Sequence, residues 1–566
     1  MPLVSKTFDQ LLDFTRTTSG TFVGSNGLIQ NTPASVNLLT FTQQFDNAAW
    51  TKTAATVTAN TTVAPDGTST ADKLVETTAT SAHTCRNTAT VTASTTYTLT
   101  VYAKAGERTW IAVDPVSPGV SNNITFFNLS NGTIGTSAAG NTAAITDAGN
   151  GWYRCTVTRT TAVGQITCFA QFAPASADNT VSYTGDGTSG IFIWGAQLEV
   201  GSTATTYTRN NGGVYPPRFD YDPVTLAAKG LLIEEQRTNL LVRSEEFDAA
   251  NWSKSGSTVT ANATNSPDGT VDADKLVEAA TTAQHRTSQA VTVTSGAAYT
   301  YSIYAKAAER TSIWVRIIGA ATFAGCIVDL TNGAITGITG TSTATNVGNG
   351  WYRITVSGTS DSTTATVYAN LIDGAGANTY LGDGTSGLFI WGAQLEAGAF
   401  ATSYIPTVAS QVTRTADQCS IVAPNFAPWY NQSEGTFVIN FTPDEGLTNN
   451  VTRVLAVSQG GVTARVVDLY TNGTNWVNYN GTTATAFGTA TVTTTPQNIA
   501  IAYKTADYAY VQNAGTVAAV ASALVNAPTQ MAIGHTGSAQ QLNGHIRSIR
   551  YYPVRLSNAQ IQALTA

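Results

Sequence analysis

Charged side chains are scarce in this chain. Asp, Glu, Lys and Arg together make up 11% of its 566 residues, against about 25% in a typical soluble protein. The net charge is −7 and the pI is near 5.2, which argues against a nucleic-acid partner, since such a groove needs a basic patch. Long apolar runs are also missing. No stretch approaches the roughly 18 residues that would span a bilayer, so no membrane insertion is expected. The opening MPLVSKTFDQLLDF has no signal-peptide core, and we expect the protein to be made and assembled in the cytoplasm. Cysteine is limited to five residues without framework spacing.

Catalytic signatures are missing as well. The four histidines lie scattered at 83, 285, 535 and 545. No nucleophile elbow, zinc-binding HExxH, P-loop or CxxC is present. We therefore expect a protein that is not an enzyme.

What the chain has is duplication. NLLTFTQQFD at 37–46 returns as NLLVRSEEFD at 239–248, and PDGTSTADKLVE, VYAKAGERT, GNGWYRCTV and GDGTSGIFIWGAQLE each have a close second copy. Trp50 aligns with Trp252, Trp152 with Trp351, and Trp194 with Trp391, at offsets of 202, 199 and 197. A unit of about 170 residues is too long for a solenoid repeat and large enough for its own core. Within each copy, short runs such as TYTLTVYAK and GIFIWGAQLE alternate apolar and polar residues between Gly, Asn, Asp and Pro clusters. Threonine-rich neutral faces suit pleated strands.

The expected fold is all-β: tandem β-sandwich (jelly-roll) domains, two of them duplicated, followed by a C-terminal lectin-like sandwich. The expected boundaries are an N-terminal attachment segment 1–36, repeat 1 at 37–210, an ordered connector 211–238, repeat 2 at 239–408, and the last unit 409–566. A short helix is expected after the cap Ser557.

Candidate sites follow from the residues the copies share. The shared carboxylates Asp46/Asp248, Asp66/Asp268, Asp72/Asp274, Asp186/Asp383, Glu76/Glu278, Glu107/Glu309 and Glu199/Glu396 sit mostly in turn contexts, where Asp serves local backbone hydrogen bonds. They are not expected to form a glycosidase pair. Asp186 and Asp383 open GDGTSG loops that suit a structural calcium, and a hydrogen-bonded Asx turn explains the same letters. No other cofactor is expected. Candidate glycan platforms are Trp152 and Trp351, which open a strand after GNG, and Trp476 with Tyr479 in NGTNWVNYNG.

Trp194 and Trp391 read as structural core aromatics. Trp110 has no aligned partner, because Ser312 takes its place. Arg154 and Arg353 lie in otherwise uncharged strands and are expected to pair with Glu76/Glu278 or Glu199/Glu396. Cys155 and Cys168 correspond to Ile354 and Val367 and flank a turn near Ala162, which predicts that they face each other across strands. A disulfide there, or two buried thiols replacing an Ile–Val contact, are the alternatives.

FTRTTSGTFVGSNGLIQ, RFDYDPVTLAAKGLLIEEQRTNLLVRSEEFDAANW and GDGTSGLFIWGAQLEAGAFATSYIPT together resemble a family of tailed-phage and prophage virion structural proteins of the head-spike or fibre-domain type. In that family GLIQ is closely followed by the RFDYDP phrase, whereas here residues 31–213 intervene. The repeats look like carbohydrate-binding-module jelly rolls. GTFVINF, NIAIAY and LNGHIRSIRYYPVRLSNAQIQAL make the last unit similar to concanavalin-type or laminin-G sandwiches.

The resemblance implies a virion protein with other virion proteins (capsid or tail) and a host surface glycan as partners. The N-terminal part would attach to the particle, with the last unit distal. It also implies a homo-oligomer, a trimer favoured, although no coiled-coil heptad enforces one. The alternatives are a tail-spike polysaccharide depolymerase and a bacterial surface carbohydrate-binding protein.

Overall fold

The computed structural model describes residues 12–32, 37–117, 123–212, 215–422, 425–444, 452–459, 465–480, 483–488, 495–522, 527–536 and 540–566. Residues 1–11 of the expected attachment segment lie outside them. Among the described residues the chain is all-β apart from one short C-terminal helix. Among the described residues no helix is long and apolar enough to cross a membrane.

Each repeat is a sandwich of two six-stranded antiparallel sheets. In repeat 1 one sheet runs Thr142–Gly149, Trp152–Thr160, Thr96–Ala105, Gly190–Val200, Ala71–Glu76 and Ala55–Thr62. The other runs Thr133–Ser137, Thr125–Asn128, Trp110–Ser117, Thr167–Ala175, Thr84–Thr90 and Thr51–Thr53. Repeat 2 has the same order from its equivalent strands. The chain crosses repeatedly between sheets, which is the jelly-roll pattern. Alternation drives it: Tyr97, Leu99, Val101 and Ala103 all face one core with Ile111, Val113, Phe172 and Leu198.

The shared WGAQ phrase has a backbone reason. Gly195 and Gly392 both adopt φ +62° at the point where the strand register slips against its neighbour. Only glycine takes that conformation without strain, and the ring of Tyr102 or Tyr304 closes over the glycine in each copy.

The third unit is a sandwich of two seven-stranded sheets, and it is assembled from three separate stretches of chain. Strand Asp13–Thr15 is the edge of one sheet, paired with Gln418–Ser420. Strands Arg218–Tyr221 and Ala228–Ile233 extend the other, with Leu231 and Leu232 paired to Ile546 and His545 of the last long strand. The expected separation of 1–36 and 211–238 from an independent 409–566 unit is therefore corrected: both segments supply strands to the terminal sandwich. Leu12, Phe14, Leu231 and Ile233 lie in its core beside Phe437, Phe441 and Ile546.

Both repeats are thus insertions into one sandwich. Repeat 1 leaves and returns through a closed stem, where the Asp13 carboxylate accepts from Arg209 at 2.5 Å and from Asn211. Repeat 2 is closed by a short ladder of Arg237–Asn239 against Val412–Arg414. The helix Asn558–Leu564 starts at Ser557 with a capping box, Gln560 reaching back to the Ser557 N–H at 2.8 Å, and buries Ile561.

Candidate functional site

Where the terminal sandwich meets repeat 2, the fold places its densest buried charge. Arg16, Arg218 and Arg414 converge on Glu234 and Asp417, and all five side chains are buried. Asp417 Oδ1 accepts from Arg16 at 2.8 Å, while its Oδ2 accepts from Arg218 and from the Glu234 N–H. Arg218 also reaches Glu234 at 2.6 Å. Three guanidiniums against two carboxylates leave one positive charge.

Backbone carbonyls disperse that charge: Arg218 donates to Thr21, Arg414 to Glu235, and Arg16 to Thr18 and Pro216. Burial alone would raise both carboxyls, but the arginines outweigh it and hold Glu234 and Asp417 below the ordinary carboxylate range. Burial lowers Arg16 to about 10 despite Asp417. Gly20 makes the convergence fit, since a methyl there would sit 3.1 Å from Arg414 Cδ and 3.4 Å from Arg16 Cζ.

A cavity of about 270 Å³ opens beside this cluster, between the Thr21–Asn31 hairpin, repeat 2 and the terminal sandwich. Its polar wall includes Asp220, Lys229, Arg353, Asp444 and His545. His545 lies between two carboxylates, Nε2 to Asp220 Oδ2 and Nδ1 to Asp444 Oδ1, each 2.8 Å. Burial disfavours its imidazolium, but Asp444 and Asp220 outweigh burial and raise His545 to about 9. At neutral pH both ring nitrogens donate, so the ring has no lone pair for general-base work. Asp220 Oδ1 is taken by the Val23 N–H, and both Glu234 oxygens by Ser403. The cavity's carboxylates are committed to structure.

The expected glycan platforms are corrected by burial. Trp152, Trp351 and Trp476 are each 1% exposed, so their rings offer no stacking face. Trp152 and Trp351 donate to Val63 and Asn265 carbonyls beneath the sheet, and Trp476 packs edge-on against Phe441 at 5.2 Å. Tyr479 is half-buried, with the Arg465 guanidinium 6.0 Å from its ring. Trp194 and Trp391 lie in small clusters with Tyr102 and Tyr207, or Tyr304 and Tyr404.

Asp186 and Asp383 close Asx turns. Asp383 Oδ1 accepts from the Thr385 and Ser386 N–H groups at 2.7 and 2.6 Å, and Oδ2 from the Ser386 hydroxyl at 2.6 Å. Asp186 does the same with Thr188 and Ser189. These donors hold both carboxyls below the usual range. Among the described residues no group of three or more His, Cys, Asp or Glu is arranged to hold a metal ion.

Among the described residues Arg154 and Arg353 pair with no carboxylate, contrary to expectation. Strand register sets them opposite Tyr102 and Tyr304, over whose rings they lie at 5.7 and 5.5 Å. They donate to the Thr205 and Thr402 carbonyls. The expected partners are occupied: Glu76 and Glu278 bind Arg108 and Arg310, and Glu199 and Glu396 accept from Thr205 and Thr402.

Cys155 and Cys168 are free, buried, and in different sheets, opposite Val101 and Ala89. The turn near Ala162 carries the chain across the sandwich instead of making a hairpin. The register also makes Ala170, not Cys168, the counterpart of Val367.

No family model matches the chain, and no curated protein matches it. Among solved structures it is similar to the LG1-3 region of the laminin alpha2 chain, at 9% identity over 85% of this chain and 97% of that one, with a TM-score of 0.18. It is also similar to Trypanosoma rangeli sialidase in complex with the inhibitor DANA, at 11% identity over 98% of both chains, with a TM-score of 0.23. The same sialidase in complex with sialic acid gives 11%, 98% of both chains and 0.22. Likenesses at these scores carry no argument about fold or function.

Proposed function

We propose that the chain is a non-enzymatic virion spike or fibre protein of the tailed-phage type, attached through its N-terminal part and displaying β-sandwich modules to a host-surface glycan. The observation that carries the reading is the double insertion. One terminal sandwich holds two copies of the same module, each on its own closed stem. The phrases that carried the resemblance also come together: Val23 of the hairpin donates to Asp220 at 2.6 Å, and Arg218 to the Thr21 carbonyl. Repeat 1 therefore interrupts the sequence between GLIQ and RFDYDP without separating them in space.

This geometry supports a layout other than the expected one. With Asp13–Thr15 an edge strand of the terminal sandwich, the reading puts that sandwich at the attachment end and the repeats outward of it. Weak contact by each chain, multiplied by copies on a particle and by a trimer, gives useful avidity. The test is antibody labelling of whole particles, with one antibody against the terminal sandwich and one against repeat 2. Both should decorate the particle, the second further out. Purified particles that carry neither label overturn the reading. Shortening of a host polysaccharide by the purified chain would favour the depolymerase instead.

A further inference from the structure

The two copies diverge on one outward face. In each repeat the sheet containing Trp110–Ser117 or Ser312–Ile318 turns one side to the core and the other outward. Its register aligns the copies position by position: Ala112 pairs with Ala173 and Asp114 with Gln171, as Trp314 pairs with Asn370 and Arg316 with Tyr368. The outward positions Thr84/Arg286, Ala112/Trp314, Asp114/Arg316, Gln171/Tyr368 and Ala173/Asn370 all differ. The phrases GNGWYR, GDGTSG and WGAQLE are identical in both copies. At inward positions of the same sheet such as Ala170/Val367 and Phe172/Ala369 one apolar side chain replaces another, whereas on the outward face the charge changes.

In repeat 1 that face is filled by an apolar cluster of Ala112, Phe126, Ala173 and Ala175. In repeat 2 it carries a half-buried Trp314 with the Arg316 guanidinium 3.8 Å from its ring centroid. Arg316 and Arg286 both lie over Tyr368, at 5.0 and 4.9 Å. Gln284 Oε1 accepts from Arg286 at 2.8 Å and from Arg316 at 3.5 Å. Arg316 is only 6% exposed, and no carboxylate among the described residues forms an ion pair with either arginine. Among the described residues, Arg316 Nε and both polar side-chain atoms of the fully buried Asn370 have no hydrogen-bond partner. Two adjacent cations without an anion, in a chain of net charge −7, and a buried amide without a partner are both costly to maintain.

We propose that this face of repeat 2 binds an acidic saccharide, a chain carrying uronate carboxylates. Trp314 is the stacking platform, and Arg286 and Arg316 grip the carboxylate. A guanidinium pair matches a planar carboxylate, while the flat ring suits a pyranose rather than an acidic peptide. The site names the ligand class for the adhesion reading and rests on that reading for its biological setting alone.

The experiment titrates the full chain with oligogalacturonate, followed by tryptophan fluorescence and calorimetry at low and physiological salt. Expected is weak, saturable, salt-sensitive binding, reduced about tenfold or more in Trp314→Ala and in Arg316→Asp, which installs the charge of repeat 1. Arg286→Gln, half-exposed and outside the core, gives the same direction if either of those variants fails to fold. Neutral maltooligosaccharide should not bind. Absence of saturable binding, undiminished binding by the folded variants, or an equal response to maltooligosaccharide or poly-glutamate overturns the site. Any of these leaves the particle location, which is read by labelling, standing.

Discussion

The carboxylate of Asp417 and the guanidinium of Arg16 are 401 positions apart in the sequence and 2.8 Å apart in the fold. Arg218 and Arg414 close on the same carboxylate from the other two segments. One acid therefore fastens the start of the described chain, the connector between the repeats and the return from repeat 2. Asp417→Asn leaves three buried guanidiniums facing Glu234 alone. We predict a loss of about 3–5 kcal/mol, the usual consequence of stripping one partner from a buried ion cluster. Urea unfolding measures it, and a loss under about 1 kcal/mol would show that the cluster does not hold the units together.

His545 makes stability pH-dependent at the same junction. Its folded pKa is raised from 6.5 to about 9. The stabilisation is therefore fully present below the unfolded value and is lost as pH rises through about 9. At its plateau it is on the order of 3 kcal/mol. Comparing wild type with His545→Gln across this window should give a stability difference that is largest near pH 6 and shrinks toward pH 9.5. A difference that stays constant with pH would rule out the clamp.

The repeats supply an internal control through Glu76 and Glu278. Each carboxylate is bound by an arginine, a tyrosine hydroxyl and a backbone N–H: Arg108, Tyr183 and Asp186, or Arg310, Tyr380 and Asp383. Burial opposes ionisation, but these donors outweigh it and lower both pKa values. The stabilisation is present above the unfolded carboxyl value and is lost as pH falls through the folded one. Glu76→Gln and Glu278→Gln should each cost about 2–3 kcal/mol, and the cost should diminish in acid. Clearly unequal losses in the two variants would mean that the shared letters do not carry a shared role.

Much of this architecture was legible in the sequence. Alternation within strands such as Thr96–Ala105, the turn clusters and the internal duplication are local signals, and they predicted the sandwiches and the Ser557 cap. The insertions were not legible. Asp13–Thr15 is three residues long, and its partner lies at Gln418–Ser420, so no periodicity records the pairing. The connector's arginines and acids read only as a charged stretch, because their partners come from segments remote in sequence. Burial of Trp351 was equally hidden, since a tryptophan opening a strand after GNG reads the same whether its ring covers the sheet or faces water. The outward face of repeat 2 needed the strand register to show that Trp314 takes the place of Ala112.

Trp152 and Trp351 separate a packing role from a binding role. Each ring is enclosed and donates to a backbone carbonyl. Trp351→Ala should cost about 3–5 kcal/mol and Trp351→Phe less, and neither change should alter saccharide binding by the folded protein. A Trp351→Ala variant of native stability that has lost binding would restore the ring as a platform.

The cysteines test the path of the chain between the sheets. Burial raises the Cys85 and Cys168 thiols to about 12 and Cys326 to about 11, and it raises Cys155 and Cys419 as well. A thiol must ionise to react, so the native protein should resist an aromatic disulfide reagent at pH 8 while a denatured sample reacts fully. Cys155 and Cys168 lie in opposing sheets as free thiols. Denaturation without reductant should therefore release all five thiols that the chain contains. A count of three, restored to five by reductant, would mean that two cysteines are bridged. Peptide mapping of that bridge to Cys155 and Cys168 would overturn their assignment as separate core thiols, because no such bond joins the two strands in this fold.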